Sequence, residues 1–340
     1  MKKHIPFNQW ADSPRLEGWS YPPSNNETTA EKYRKFNEQY FADLHAQERM
    51  LADERRMAFY HEAINRYIKP GDRVIDLGTG TGILAAFASR RGAERVYAVD
   101  HSSIIEHARE LAAENGIENV DFADVHSTKF HLDDPVDVIL HEQIGDFLFD
   151  EAMVPNVCDL RDRLLKPGGL ILPSRFELFC EPMTLHDEQR IPYIWELNDV
   201  HGFDFSSMGR SRPQDPEYYR LVSCDLGMVK HFSGEPAPIV NVDLHTVTES
   251  SLPLSVTFTR KVKNPGLIDG LVVYMKAKVD DDLVLSSSPL DPNRASHWGF
   301  RILRLDQSRA EIGDELEVTL SVNDWADTDS WMWTCENYRA

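Results

Sequence analysis

Val74-Ile75-Asp76-Leu77-Gly78-Thr79-Gly80-Thr81-Gly82 is the stretch on which the reading of this chain turns. An apolar run carrying one acid gives way to glycine at every second position, and the residues from Gly82 to Arg91 then read as a helix. A strand that enters a glycine turn and then a helix lets backbone pass close under a ligand and aims the helix N-terminus at it. The spacing is GxGxG after an acid, whereas the dinucleotide fingerprint is GxGxxG. Asp100 closes the next strand, Val96-Tyr97-Ala98-Val99, 24 positions after Asp76. A carboxylate there is placed to bind the two hydroxyls of a ribose. Acid, glycine turn and second acid on successive strands predict a nucleoside site, with a nicotinamide site as the alternative that the spacing disfavours.

Strand and helix signals alternate on both sides of this stretch. A helical pattern from Thr29 to Ile68 ends at Pro70-Gly71. Helices then follow over Ser103–Asn115 and Val154–Leu165, with strands at Val120–Phe122, Val136–Leu140 and Leu170–Leu172. Such alternation marks a doubly wound α/β domain with a mainly parallel sheet. After Pro173 the texture changes to short segments rich in β-branched and aromatic residues, among them Arg175–Glu181, Leu254–Val262, Leu271–Val279 and Leu316–Val322. These predict an antiparallel barrel or sandwich, interrupted by an irregular stretch at about Met183–Glu217. The expected division is an irregular segment at 1–28, a nucleoside-binding domain at 29–172 and a β domain at 173–340.

Composition narrows the function. The 340 residues are 41% hydrophobic and 27% charged, a globular balance. No apolar run approaches the ~20 residues a membrane helix needs. A net charge of −20 argues against nucleic acid, whose phosphates are met by Lys and Arg, and favours a cationic substrate. Cys158, Cys180, Cys224 and Cys335 are scattered without metal spacing and read as reduced thiols of a cytoplasmic protein that holds no metal.

A second stretch, His141-Glu142-Gln143-Ile144-Gly145-Asp146-Phe147-Leu148-Phe149-Asp150-Glu151, follows the buried-strand pattern of Val136–Leu140. Glu142 and Glu151 stand 9 positions apart and would face opposite sides of a straight helix. A turn at Gly145 brings them onto one ligand. Two carboxylates suit a planar cation with several N–H donors, a guanidinium.

The first stretch resembles the class I S-adenosylmethionine methyltransferases, and four further motifs resemble the protein arginine methyltransferases from roughly Phe36 to the C-terminus. Met50-Leu51-Ala52-Asp53-Glu54-Arg55-Arg56 is similar to the family's helix over the cofactor, and Glu142 with Glu151 to its double-E loop. The stretch from Trp195 to Asp204 resembles its dimerisation arm, placed at about 183–217. Ser296-His297-Trp298 resembles its THW loop. The resemblance implies a Rossmann-like class I methyltransferase domain, an antiparallel β-barrel with a helical arm, and a homodimer. It implies S-adenosyl-L-methionine held by Arg56, Asp76, Gly78, Thr79, Gly80, Gly82, Asp100, Asp124, His126 and Glu142. It further implies catalysis by Glu142 and Glu151, with His297 paired to Asp53 for the departing proton.

The chain departs from the family's pattern at the acceptor side. Tyr40-Phe41-Ala42-Asp43-Leu44 ends in leucine where a tyrosine is usual, and Gln143, Ile144 and Asp146 replace the common Trp, Met and Tyr. His126 stands near where relatives carry a glutamate. Two acceptors follow as expectations: arginine in a polypeptide, favoured by the acidic surface, or free arginine or another small guanidino compound, whose α-amino group Asp146 would hold.

Overall fold

The computed structural model describes residues 40–149, 151–190, 193–211, 216–223 and 227–339. The irregular N-terminal segment and Phe36 therefore lie outside the described residues. Helices α1 (Leu44–Ala52) and α2 (Glu54–Tyr67) lead into β1 (Arg73–Leu77). Then come α3 (Ile83–Arg91), β2 (Arg95–Asp100), α4 (Ile104–Glu114), β3 (Val120–Asp124), β4 (Val136–His141), α5 (Met153–Leu164) and β5 (Leu165–Leu172). All five strands pair in parallel, in the order β3-β2-β1-β4-β5. Helices cover such a sheet on both faces, so its central strands are apolar throughout: Val74, Ile75, Ile139 and Leu140 are fully buried. The chain runs outward from β1 to β3, then crosses back to β4 on the other side of β1. That reversal opens a crevice at the C-terminal ends of β1 and β4, where such sheets bind ligands.

Two local expectations change. The single helical pattern reaching Ile68 is broken at Asp53, which caps the end of α1 and the start of α2. Its carboxylate accepts a hydrogen bond from Arg56 N at 3.0 Å, the usual role of aspartate at a helix N-cap. Apolar periodicity continues on both sides, which hides the break from the sequence. Lys166–Gly169, which the sequence pattern leaves between the helix over Val154–Leu165 and the strand at Leu170–Leu172, is instead part of β5, whose pairing with β4 shifts register between Val136 and Val138.

The rest of the chain is antiparallel. Strands β6 (Arg175–Leu185), β7 (Arg220–Ser223), β8 (Val229–Phe232), β9 (Val240–Asp243), β11 (Gly266–Lys278), β12 (Val284–Ser286) and β13 (Phe300–Ala310) form one sheet. Strands β10 (Ser255–Lys261), β14 (Glu315–Ser321) and β15 (Met332–Tyr338) form another. Val273 and Met275 of β11 share one core with Val318 and Leu320 of β14, so the two sheets enclose a barrel-like interior. The same core continues into the parallel sheet. The sequence did not announce β7, β8 and β12, which span three or four residues, or β15, which buries none of its residues fully.

Among its described residues, the stretch at 183–217 beyond β6 carries short 3-10 turns, at Asp187–Gln189, Ile194–Glu196, Ser206–Ser211 and Pro216–Tyr219, and no α-helix. It is pinned to the barrel where the Arg304 guanidinium lies 3.8 Å from the Tyr193 ring centre.

Candidate active site

The crevice holds a cavity of about 320 Å³ whose floor is the glycine turn. Gly78 N and Thr79 N both donate to Val99 O, at 2.9 and 3.1 Å, folding the turn back onto β2. Gly80 has φ +53, and a Cβ there would stand 3.0 Å from Gln47 Oε1, so the backbone is bare where it meets the cavity. Asp100 spans the turn: one carboxylate oxygen accepts from Gly80 N at 2.9 Å, the other from Ser102 N and Oγ, both at 2.8 Å. Asp76 lies beneath, fully buried, accepting from Thr79 Oγ1 at 2.6 Å and Ala85 N at 3.0 Å. Burial pushes its carboxyl up to about 6, against the pull of those two hydrogen bonds. Its role is to brace the turn and the start of α3.

Glu142 leaves the end of β4 and meets Arg56 of α2, with Oε2 and Nη2 3.0 Å apart and both side chains largely buried. Arg56 also donates to Met50 O at 3.0 Å, tying the ion pair to α1. The chain then turns as Gly145 predicted, with Leu148 N donating to Gly145 O at 2.8 Å, and Glu151 returns to the same cavity. Leu148 (φ +72) and Ala152 (φ +53) adopt left-handed backbone in this short return. Such conformations cost of order 1–3 kcal/mol each and persist only where surrounding packing enforces them. Here Ile144, Phe147, Leu148 and Phe149 are buried, and Phe147 and Phe149 meet Trp331 and Trp325 of the β domain, with ring centres 4.9 and 5.1 Å apart.

The β domain also supplies His297 and Trp298. Trp298 donates through Nε1 to Ile144 O at 2.5 Å, fastening the glutamate loop. Asp53 does meet His297, but through the backbone: His297 N donates to Asp53 Oδ2 at 2.7 Å. The expected side-chain pair is thereby corrected, because the Asp53 carboxylate is divided between a helix cap and a loop amide. Among the described residues His297 Nδ1 is buried without a partner. Burial lowers the imidazole from its ordinary value, and Arg56 adds to the effect, although Glu142 and Asp146 act in the other direction.

Asp146 is corrected too. It accepts from Gly299 N at 3.2 Å and forms an ion pair with Arg301, so it is a clamp between loop and barrel rather than a holder of an α-amino group. Asp124 ends β3 exposed and is not part of the cavity wall, to which the adjoining Val125, His126 and Ser127 contribute. The Nδ1 of His126 lies 2.9 Å from Thr128 Oγ1, and burial lowers the ring, with His101 adding to the effect. Arg56, Gly78, Thr79, Gly80, Asp100, His126, Glu142 and Glu151 all face the cavity, whereas Asp76 and Gly82 support it from behind. Gln47 and Asn156, which sequence reasoning passed over, and Gln143, which it met only as a departure from the family's pattern, also line it. A lone amide residue carries no spacing signature, and only the fold brings these three together.

A nucleoside whose sulfur bears an amino acid fits these groups. Asp100 keeps one free lone pair, on Oδ2, for a ribose hydroxyl, Val99 and Val125 offer apolar wall for a base, and among the described residues Arg56 Nε and Gln143 Oε1 are buried polar atoms without partners. Residues 58–174 match the family described as ribosomal protein L11 methyltransferase (PrmA), and residues 177–331 match the arginine methyltransferase oligomerization subdomain. Protein arginine N-methyltransferase 6 of Xenopus tropicalis is 31% identical over 296 residues, spanning 84% of this chain and 86% of its own. Protein arginine N-methyltransferase 1 of Dictyostelium discoideum is 31% identical over 287 residues, spanning 80% of each. The solved structure of PRMT6-SAH superposes with a TM-score of 0.64 at 25% identity, covering 87% of this chain and 100% of that one. The Trypanosoma brucei PRMT1 enzyme-prozyme heterotetrameric complex with AdoHcy shares the fold, with a TM-score of 0.72 at 24% identity over 88% of this chain and 99% of that one.

Proposed function

Because this chain belongs to the protein arginine N-methyltransferase family, we propose that it methylates the guanidinium of arginine in a protein or peptide, using S-adenosyl-L-methionine. The observation that carries this reading is the opening of Glu142 and Glu151 onto the one cavity floored by the glycine turn. An arginine side chain is protonated at any physiological pH, and its nitrogen lone pairs are delocalised. Two carboxylates gripping it draw the positive charge toward one end and leave the other nitrogen better able to attack. Arg56 fixes the orientation of Glu142, and the buried loop fixes Glu151. Bound at Arg56, the glycine turn and Asp100, S-adenosyl-L-methionine supplies an electrophilic methyl, and holding the acceptor in line with it provides much of the acceleration. The proton released from the methylated guanidinium goes to the unpartnered Nδ1 of His297, with Asp53 holding that loop in place.

Free arginine, the other acceptor weighed, loses its support once Asp146 is engaged by Arg301. Labelled donor offered with histone-like peptides in one reaction and free arginine in another separates the two. We expect label in the peptide. Label in free arginine alone overturns the polypeptide acceptor, and label in neither overturns the reaction.

The enzyme works as a homodimer in this reading. Phe203 is 70% exposed and Met208 42% exposed on the arm, apolar surface suited to a second copy, and the oligomerization match spans this arm. Sedimentation at micromolar concentration is expected to give a dimer, and Phe203→Asp a monomer. A monomeric unaltered chain would sink the proposal.

A further inference from the structure

Gln143 follows Glu142 where β4 has ended. Leu77 pairs with His141 in the parallel sheet, so the two residues beyond that pair stand beside the glycine turn. Glu142 is taken by Arg56. The Gln143 amide lies over Gly78 instead: its Nε2 and Cγ are each 3.9 Å from where a Gly78 Cβ would stand. Gln143 lines the cavity, and among the described residues its Oε1 is buried without a hydrogen-bond partner. Arg56 Nε, on the guanidinium that pairs with Glu142, is likewise buried and unpartnered among the described residues. Orphaned polar atoms at the edge of a cavity are costly unless water or a ligand satisfies them, and a ligand filling the cavity must replace that water.

One orphan is an acceptor and the other a donor. A zwitterion needs both: its ammonium requires oxygen acceptors and its carboxylate requires N–H donors. We infer that Gln143 is a donor-specificity residue, which with Arg56 recognises the amino-acid end of S-adenosyl-L-methionine, Gln143 Oε1 taking the ammonium and Arg56 the carboxylate. An uncharged amide suits this position because an acid would draw Arg56 away from Glu142. The inference rests on the donor reading given above and goes beyond it by dividing the donor's two charges between two residues.

Two ligands isolate the effect. S-adenosylhomocysteine carries the amino-acid end, whereas 5′-methylthioadenosine keeps the nucleoside and sulfur but lacks it. Calorimetry on the unaltered chain, Gln143→Leu and Gln143→Met should find S-adenosylhomocysteine weakened about tenfold in both variants. Binding of 5′-methylthioadenosine should stay within about twofold in all three, which also reports that the variants are folded. Equal losses for both ligands, or no loss for either, would overturn the role of Gln143. Should the unaltered chain bind neither ligand, the donor reading itself fails.

Discussion

Beneath the cavity, Gly80 and Asp100 hold each other across 20 positions of chain, through a backbone N–H and one carboxylate. Above it, Ile144 depends on Trp298 and Gly299 on Asp146, partners 154 and 153 positions apart. The floor is a matter of backbone shape. The roof is a matter of side chains from the parallel domain and the barrel meeting across an interface. From this contrast, a change in the floor should alter donor binding, and a change in the roof's glutamates, as distinct from Gln143 beside Gly78, should alter turnover while leaving donor binding intact.

The largest test of that division lies in the roof. Glu142→Gln and Glu151→Gln should each lower kcat by at least ~10²-fold while S-adenosylhomocysteine still binds. Unchanged turnover would remove the glutamates from the chemistry and point to methyl transfer onto oxygen or carbon instead. Next comes Gly80→Ala in the floor. A side chain in left-handed backbone costs roughly 1–2 kcal/mol, and the new Cβ would stand 3.0 Å from Gln47 Oε1. Affinity for S-adenosylhomocysteine should drop about tenfold, with kcat at saturating donor within about twofold. A fall in kcat with intact affinity would break the contrast, since floor and roof would then act as one unit.

The last test bears on stability alone and concerns the joint between them. His141 ends β4, donates through Nε2 to Pro173 O at 2.7 Å, and is held neutral because burial lowers its ring to about 4. Between an ordinary histidine value of ~6.5 and that figure, the unfolded chain binds the extra proton and the folded chain does not. Stability is therefore complete above pH 6.5 and declines as the pH falls toward about 4, by about 3 kcal/mol in all for this group. Because Asp76, raised to about 6, contributes in the opposite direction over the same range, the decline is read as a difference: the urea midpoint of the unaltered chain should fall relative to that of His141→Gln as the pH drops. An equally steep decline in that variant would assign the acid sensitivity elsewhere.

Much of the floor was legible because its parts are contiguous or lie at the ends of successive strands. A glycine at every second position after an acid has few structural uses, and the distance from Asp76 to Asp100 is one strand-helix-strand unit. The barrel was legible in outline through its β-branched segments, but its shortest strands and the exposed β15 left no pattern to read. In the roof, residue identities were readable and their pairings were not. Asp146 looked like a ligand for an amino group until Arg301 and Gly299 were found on it, and Asp53 looked like a partner for an imidazole until it met the His297 amide instead.

By itself the sequence determined the class of fold, the glycine turn and the pair of carboxylates proposed to grip a cation. Each of these rests on local chemistry: backbone freedom at glycine, periodic burial, and charge at fixed spacing. Tertiary structure alone decided which carboxylates remain available. Arg56 took hold of Glu142, Asp146 was spent on the barrel, and Gln143 was left with an unanswered oxygen beside Gly78. A polar group's role depends on which partner reaches it first, and those partners come from distant parts of the chain.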